Sequence, residues 1–510
     1  MKRNLNYLII LLVFTAVFGV AYTSGAELLQ VQIRNLDRAA LVSLFQMDID
    51  IDSVHGSTAR AYIFSDRLDD LRKLGYDITV IPNRIKRDSR LLTGYPNLSE
   101  LASELREIEA AYPNLCRLYN IGASTRGHEL WFMKISDNVD AEEDEPEFHY
   151  ISSMHGDEPV GMELCLNLIH LLTDDYSTDE RITDLVNETE IWIMPLMNPD
   201  GYASQERYNA QNKDLNRSFP DQYHDPVNTV SGRPTETQHV MNWAFAHSPA
   251  LSANLHGGDL VVNYPYDSNP EFDSVYSACP DDGLFIQMAL SYTSQNLPMK
   301  NGGDFDQGIT NGAAWYHVKG GMQDWKYVWI GCNEVTIELG YDKLPPFSEI
   351  ENLWNDNREA MLTYMEWSLK GVRGIVTDSV TGKPLDATVS VSGIDHDVYT
   401  DSDVGDYHRM LLSGTYQLSF SAAGYRSQTV LDVIVGEGNA TRLDVSLRPE
   451  ILPGDVNDDG KIDLADFILA IRAVIENALD LYKKADVSGD ARIGLEEAVY
   501  LLRELAASEP

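Results

Sequence analysis

The stretch Glu147 to Gly161, EFHYISSMHGDEPVG, decides how the chain is read. Phe148, Tyr150 and Ser152 alternate with His149, Ile151 and Ser153, a period of two that predicts a short strand. The strand runs into a turn of small residues carrying His155 and Glu158, and Met162 to Leu172 then shows helical apolar spacing. Strand, turn and helix in that order are the unit of an α/β domain. Imidazole and carboxylate are both good zinc ligands, so the turn is a candidate metal site.

Length and composition bound the rest. A chain of 510 residues exceeds one ordinary core and predicts three to five units. With 44% hydrophobic residues the chain is globular, and its formal charge of −40 excludes nucleic acid as a natural partner, because phosphates would be repelled. The same charge suits calcium loops and cationic substrates.

Lys2 and Arg3 precede an apolar run from Leu8 to Val20, followed by Ser24 and Ala26. That order predicts a secretory signal over 1–26, cleaved near Ala26 or, as second choice, Ala21. The run is too short for a membrane span, so the expectation is an exported protein with no span after signal removal. Export permits disulfides. Cys116, Cys165, Cys279 and Cys332 form at most two, in any of three pairings.

Residues 27–84 read as β-α-β-β-α-β, a small α+β domain. The basic link Asn83 to Arg90 fits a protease-sensitive pro-segment junction or a solvated linker, so 27–90 is taken as a pro-segment-like unit. From 94 to 370 short strands alternate with amphipathic helices, which predicts an α/β domain with a mixed sheet flanked by helices. Within it the strand Glu190 to Leu196 ends at the turn Asn198-Pro-Asp-Gly-Tyr202, and Asn254-Leu-His-Gly-Gly258 is a second strand ending in a His beside glycines. Ligand sites gather at the carboxyl ends of strands in open α/β sheets, which makes His256 a candidate third ligand. Two His and one Glu with a fourth position for water is a standard catalytic zinc set.

These features, with Asp214-Leu-Asn-Arg-Ser218, Thr310-Asn-Gly-Ala-Ala-Trp-Tyr316, Gly320-Gly-Met-Gln-Asp324 and Val335-Thr-Ile-Glu-Leu339, resemble the zinc metallocarboxypeptidases. The resemblance is nearest to the regulatory branch that includes carboxypeptidases E, N, M and D, and it spans 94–449. It implies that His155, Glu158 and His256 hold Zn²⁺ and that Glu338 takes a proton from water and delivers it to the leaving amine. It also implies that Asn216 and Arg217 clamp the terminal carboxylate of a peptide or protein substrate, a task suited to a guanidinium fork. Tyr316 would close over the substrate, and Arg207 would stabilise the developing oxyanion. Ser218 stands where many relatives carry Asn. An acid at Asp267, helped by Gln323, implies preference for C-terminal Lys or Arg, since a buried carboxylate attracts a cation and leaves an apolar side chain facing an unpaired charge.

Residues 371–449 show short alternating runs between Gly, Asp and Pro turns, a pattern of a small β-sandwich. They resemble the transthyretin-like module of the same branch, with His396 read as a turn residue. In the tail, 451–510, Asp455, Asn457, Asp459, Asp463 and Asp466 set oxygen donors at calcium-loop positions 1, 3, 5, 9 and 12, with Gly460 at the bend. A second copy carries Asp486, Ser488, Asp490 and Glu497, with Ala491 in place of Gly and Gly494 at position 9. Two such loops, each followed by a helix, resemble a dockerin, which implies one or two Ca²⁺ ions and a cohesin-type scaffold protein as partner.

The expected fold class is therefore multidomain, comprising the α/β catalytic domain, the small α+β unit, a β-sandwich and paired calcium-loop helices. A secreted carboxypeptidase is the leading function. The alternatives are a catalytically silent peptide binder attached to a scaffold and a metal-dependent amidase acting on non-protein amides. Retention of all three ligands and Glu338 favours the enzyme, because a silent relative has no chemical need of the full set.

Overall fold

The computed structural model describes residues 26–82, 93–475, 481, 483–490 and 492–507. Residues 1–25 of the signal expected over 1–26, the basic link 83–90 and Ala491 lie outside the described residues.

The N-terminal unit begins with β1 (Leu28–Arg34), a helix Arg38–Gln46, β2 (Asp50–His55) and β3 (Thr58–Phe64). It ends with a helix Leu68–Lys73 and β4 (Asp77–Val80). The strands form an antiparallel sheet in the order β2-β3-β1-β4. Asp37 starts the first helix by accepting the amide of Ala40 at 2.8 Å, a standard N-cap. Alternation places Val31 and Ile33 of β1 and Ala59, Ala61 and Ile63 of β3 in one core with Leu44 and Ile51. That core does not stop at the edge of the unit. It continues into Val261, Trp315, Tyr316 and Val318 of the next domain, and the Trp315 indole donates to the Val54 carbonyl at 3.0 Å.

The second domain carries an eight-stranded mixed sheet. Its strands are β5 (Cys116–Ala123), β6 (Glu129–Ile135), β7 (Glu147–Ser152), β8 (Glu190–Met194), β9 (Pro249–His256), β10 (Asp259–Tyr264), β11 (Ile309–Asn311) and β12 (Asn333–Gly340). The spatial order is β11-β10-β12-β9-β7-β8-β6-β5, with β12, β9, β7 and β8 parallel to one another. Every residue of β7 and β9 is buried. The alternation in β7 therefore separates two covered faces rather than core from solvent, as expected for central strands of a parallel sheet. Helices Val160–Asp174 and Ile350–Met365 cover one face and Thr235–Ala246 the other. Cys116, Cys165, Cys279 and Cys332 are all buried and free. None of the permitted disulfides forms.

The third domain packs two four-stranded layers. One is β16 (Asp406–Arg409), β13 (Val372–Asp378) and β19 (Thr441–Arg442), with β20 (Val445–Leu447) also on β13. The other is β15 (Ile394–Tyr399), β14 (Ala387–Val391), β17 (Gly414–Ala422) and β18 (Gln428–Val435). The buried Arg409 guanidinium donates to both oxygens of Asp281 at 2.8 and 3.0 Å, which fixes the sandwich to the second domain. His396 is not a turn residue. It lies within β15, buried, with its ring stacked on Tyr327 at 3.9 Å, and burial pushes its pKa down.

The tail forms helices Leu464–Ile475 and Leu495–Ala507, closed around Val456, Ala470, Ala485, Ala498 and Leu501. The two loops repeat one geometry. Asp466 accepts the amides of Val456 (2.9 Å) and Asp463 (2.9 Å), and Glu497 accepts those of Val487 (3.2 Å) and Gly494 (2.7 Å).

Candidate active site

The site sits at the carboxyl ends of the central strands, where the opening stretch leaves β7. Ser153 takes a positive φ of 52° and turns the chain so that His155 and Glu158 come back across the sheet edge. The Asn198 side chain holds this turn, donating to the carbonyls of Met154 and Arg207, both at 3.2 Å. Gly156 leaves room for that packing, since a Cβ there would stand 2.0 Å from the carbonyl carbon of Gly201. The NPDGY segment is thus the brace of the ligand turn, and in place of the expected turn it forms a short helix, Pro199–Ser204, capped by Asn198.

His155, Glu158 and His256 converge. His155 Nδ1 lies 3.1 Å from both Glu158 oxygens, and His256 Nδ1 lies 3.0 Å from His155 Nδ1 and 2.9 Å from Glu158 Oε2. All three side chains are buried. A tetrahedral ion with bonds of about 2.1 Å spaces its ligand atoms by roughly 3.4 Å, so this donor set fits Zn²⁺. Beyond the ligands, His155 Nε2 is 3.1 Å from Asp214 Oδ1 and His256 Nε2 is 3.4 Å from Asn216 Nδ2. Such partners fix the ring orientations.

The other expected residues surround these three. Glu338 lines the same cavity of about 20 Å³ as Asn216, Arg217, Asp267 and Tyr316. Its Oε2 is buried with no partner, and burial together with the Glu158 charge raises its pKa well above the usual carboxylate range. Arg207 is buried and paired with Asp214 at 2.8 Å, and its Nη1 comes within 3.0 Å of His155 Nδ1. Asp267 lines the cavity, while Gln323 lies behind it with its Nε2 3.4 Å from Asn263 Oδ1. Asp267 Oδ1 and Gln323 Oε1 are both buried without a partner, and burial pushes the Asp267 pKa up to about 7.

Five participants were not foreseen. Lys343 donates to Glu158 Oε1 at 2.7 Å, three residues beyond the end of the Glu338 strand. Asp214 caps the turn Leu215–Arg217, accepting the Asn216 amide at 2.7 Å. Asp324 holds the backbone of Asp267. The remaining two come from the N-terminal unit. Asp50 Oδ1 pairs with Arg217 at 3.4 Å, and its Oδ2 accepts the Tyr208 hydroxyl at 2.7 Å. Asp52 accepts from Lys343 at 2.7 Å and from Arg207 at 3.0 Å, while the Ile51 carbonyl between them accepts from Arg217 at 2.7 Å.

The zinc carboxypeptidase family model matches residues 101–360. The chain belongs to the zinc carboxypeptidases. The model of the carboxypeptidase regulatory-like domain matches 371–448, the β-sandwich. Human carboxypeptidase D is 47% identical over 354 residues, covering 66% of this chain and 25% of that protein. The human carboxypeptidase N catalytic chain is 38% identical over 397 residues, covering 69% of this chain and 86% of that one. The chain thus spans about a quarter of the length of carboxypeptidase D and most of the carboxypeptidase N catalytic chain. A solved carboxypeptidase A from Helicoverpa armigera superimposes with a TM-score of 0.54 at 19% identity, over 67% of this chain and 98% of that one, which shows a common fold. No described helix is long and apolar enough to cross a membrane.

In the tail, the Asp455 carboxylate accepts the amides of Asp459 (3.1 Å) and Gly460 (2.9 Å) and pairs with Arg448 of the preceding sandwich. Among the described residues, the groups whose ligating atoms converge tightly enough for an ion do not include the calcium-loop set.

Proposed function

We propose that the chain is an exported carboxypeptidase that removes C-terminal Lys and Arg from peptides. The observation that carries this is the unpartnered buried oxygen Asp267 Oδ1 on the wall of the cavity that holds the metal ligands and Arg217, with the equally unpartnered Gln323 Oε1 behind it, its amide on Asn263 of the same wall. Buried acceptors without donors are costly, and a guanidinium or ammonium satisfies both. Arg217, with Asn216 beside it, receives the terminal carboxylate, so the scissile carbonyl is placed between the metal ligands and Glu338. Bound zinc supplies Lewis acidity and an acidified water. Glu338, whose Oε2 is buried without a partner, is the group that would take a proton from water and pass it to the leaving amine. Arg207 faces the developing negative charge from a position already neutralised by Asp214, and Tyr316 shuts the cavity from solvent.

The unit 27–82 serves as an inhibitory pro-segment under this reading. Asp50 takes the place of a substrate carboxylate at Arg217, Asp52 engages Arg207 and Lys343, and a cavity of about 20 Å³ leaves no room for a peptide. The tail binds Ca²⁺ and docks to a cohesin-type scaffold. Support comes from apolar residues exposed at equivalent positions of the two copies, Leu464 and Ile468 in the first and Leu495 and Val499 in the second. Wild type and Glu338→Gln are tested on Arg-, Lys- and Phe-terminated peptides before and after limited trypsin treatment. Faster release of Arg than Phe, appearing on proteolysis and absent in the variant, is expected. Faster release of Phe sinks the specificity, and full activity in the uncut chain sinks the inhibition.

A further inference from the structure

Asp267 does not hold its own place in the pocket. Its amide donates to both carboxylate oxygens of Asp324, at 2.9 and 3.0 Å, and the amide and hydroxyl of Ser268 donate to Asp324 Oδ2 at 3.1 and 3.3 Å. Asp324 is 2% exposed, on the short helix Met322–Trp325, next to Gln323. From the other side the chain presses on the Asp267 carboxyl at Gly312, where a Cβ would stand 1.8 Å from Oδ1. The Asp267 backbone is thus pulled down by Asp324 while its side chain is confined from above. One direction is left, into the cavity.

We propose that Asp324 is a positioning residue for the recognition of basic side chains: by gripping the 267–268 segment it fixes how the Asp267 carboxyl faces the substrate. The inference rests on Asp267 being the specificity acid. A carboxylate is needed because three donors from one segment converge on it. An amide offers one acceptor and turns its NH₂ toward the remaining donors. Burial and the Asp267 charge both raise the Asp324 pKa, as expected of two carboxyls awaiting a cation.

The test uses the trypsin-treated full chain and peptides ending in Arg or Phe. Asp324→Asn keeps the volume, and it is expected to raise KM for the Arg peptide about tenfold or more, with kcat within about threefold and the Phe peptide within about twofold. Retained turnover of the Phe peptide shows that fold and metal site persist. Asp324→Glu, which keeps the charge, is expected to recover part of the Arg preference. An unchanged KM for the Arg peptide in Asp324→Asn overturns the inference. So does loss of both activities in both variants, because Asp324 would then serve the whole domain. A wild type that favours Phe defeats the specificity reading beneath it, a result separable from either.

Discussion

Glu338 on β12 and His256 on β9 are register partners on neighbouring parallel strands, so their side chains leave the sheet on the same face. The group assigned to proton transfer and one metal ligand are therefore placed by the sheet backbone itself. Loop motion does not separate them. Because the two sit side by side on paired strands, Glu338→Gln changes chemistry without disturbing geometry. The variant is expected to lose about 10²–10⁴-fold in kcat, with KM for the Arg peptide within about twofold. Zinc content measured by elemental analysis should equal that of wild type, and a variant that loses its zinc defeats the assignment.

Arg217 is reached by Asp50 and the Ile51 carbonyl in the intact chain, and on the proposed reading the substrate carboxylate takes their place once that segment has gone. Arg217→Ala is expected to raise KM for a free C-terminus about 30- to 150-fold, equivalent to about 2–3 kcal/mol for a charged hydrogen-bonded pair. Peptides whose C-terminus is amidated should be equally poor substrates for wild type and variant. A KM that does not move would show that the carboxylate is read elsewhere.

Burial holds the Asp267 carboxyl at about 7, far above an ordinary aspartate. Below that pH the group is neutral and exerts no pull on a guanidinium; above it the charge is present. The ratio of kcat/KM for Arg over Phe peptides should accordingly climb as pH rises through about 7 and level off once ionisation is complete. Asp267→Asn should flatten the ratio across the whole range, and a ratio that falls with rising pH in wild type contradicts the assignment.

Asp50 and Asp52 together engage Arg207, Arg217, Lys343 and Tyr208. The double variant Asp50→Ala, Asp52→Ala removes every carboxylate of β2 from these cations while leaving the shared apolar core. Uncut double variant should turn over the Arg peptide at least about tenfold faster than uncut wild type, since breaking buried ion pairs of this kind costs about 3–5 kcal/mol of docking. Equal rates would mean that the unit blocks the site by its bulk alone.

Arg448 stands in the first loop of the tail, where it neutralises Asp455 and contacts Asp458 at 3.0 Å. An ion entering that loop must displace it. Arg448→Ala is expected to tighten Ca²⁺ binding several-fold by calorimetry, because a competing cation has been removed, and Asp455→Asn to abolish binding in that loop. Absence of Ca²⁺ uptake in both wild type and Arg448→Ala would reject the calcium reading.

Much of this was legible along the chain. The candidate zinc ligands announce themselves because His155 and Glu158 share the turn that follows one strand and His256 ends another, and chemistry restricts which side chains serve there. The order of strands and helices in 27–82 follows from alternation and from caps such as Asp37. His396 was misjudged because a β-sandwich strand bearing Ile394, His396 and Val398 on one side becomes recognisable only when Tyr327, far away in the chain, supplies a ring to stack on. Asp50, Asp52 and Lys343 carry no local signal at all. Their roles arise from the docking of one folded unit on another, and no spacing in β2 marks its carboxylates as facing cations more than 150 residues away.

The apolar core shared by the N-terminal unit and the catalytic domain bears on what a single cut can achieve. While the chain is continuous, Asp50 and Asp52 meet their cations at the millimolar effective concentration that a short tether imposes. Severing the segment between 82 and 93 leaves Trp315, Tyr316 and Val318 still covered. The two pieces then part according to their own dissociation constant, and the fraction of free enzyme depends on how far the mixture is diluted. Under the proposed inhibition, release is a matter of volume as much as of proteolysis: a crowded compartment would keep the nicked protein silent, and escape into open medium would switch it on.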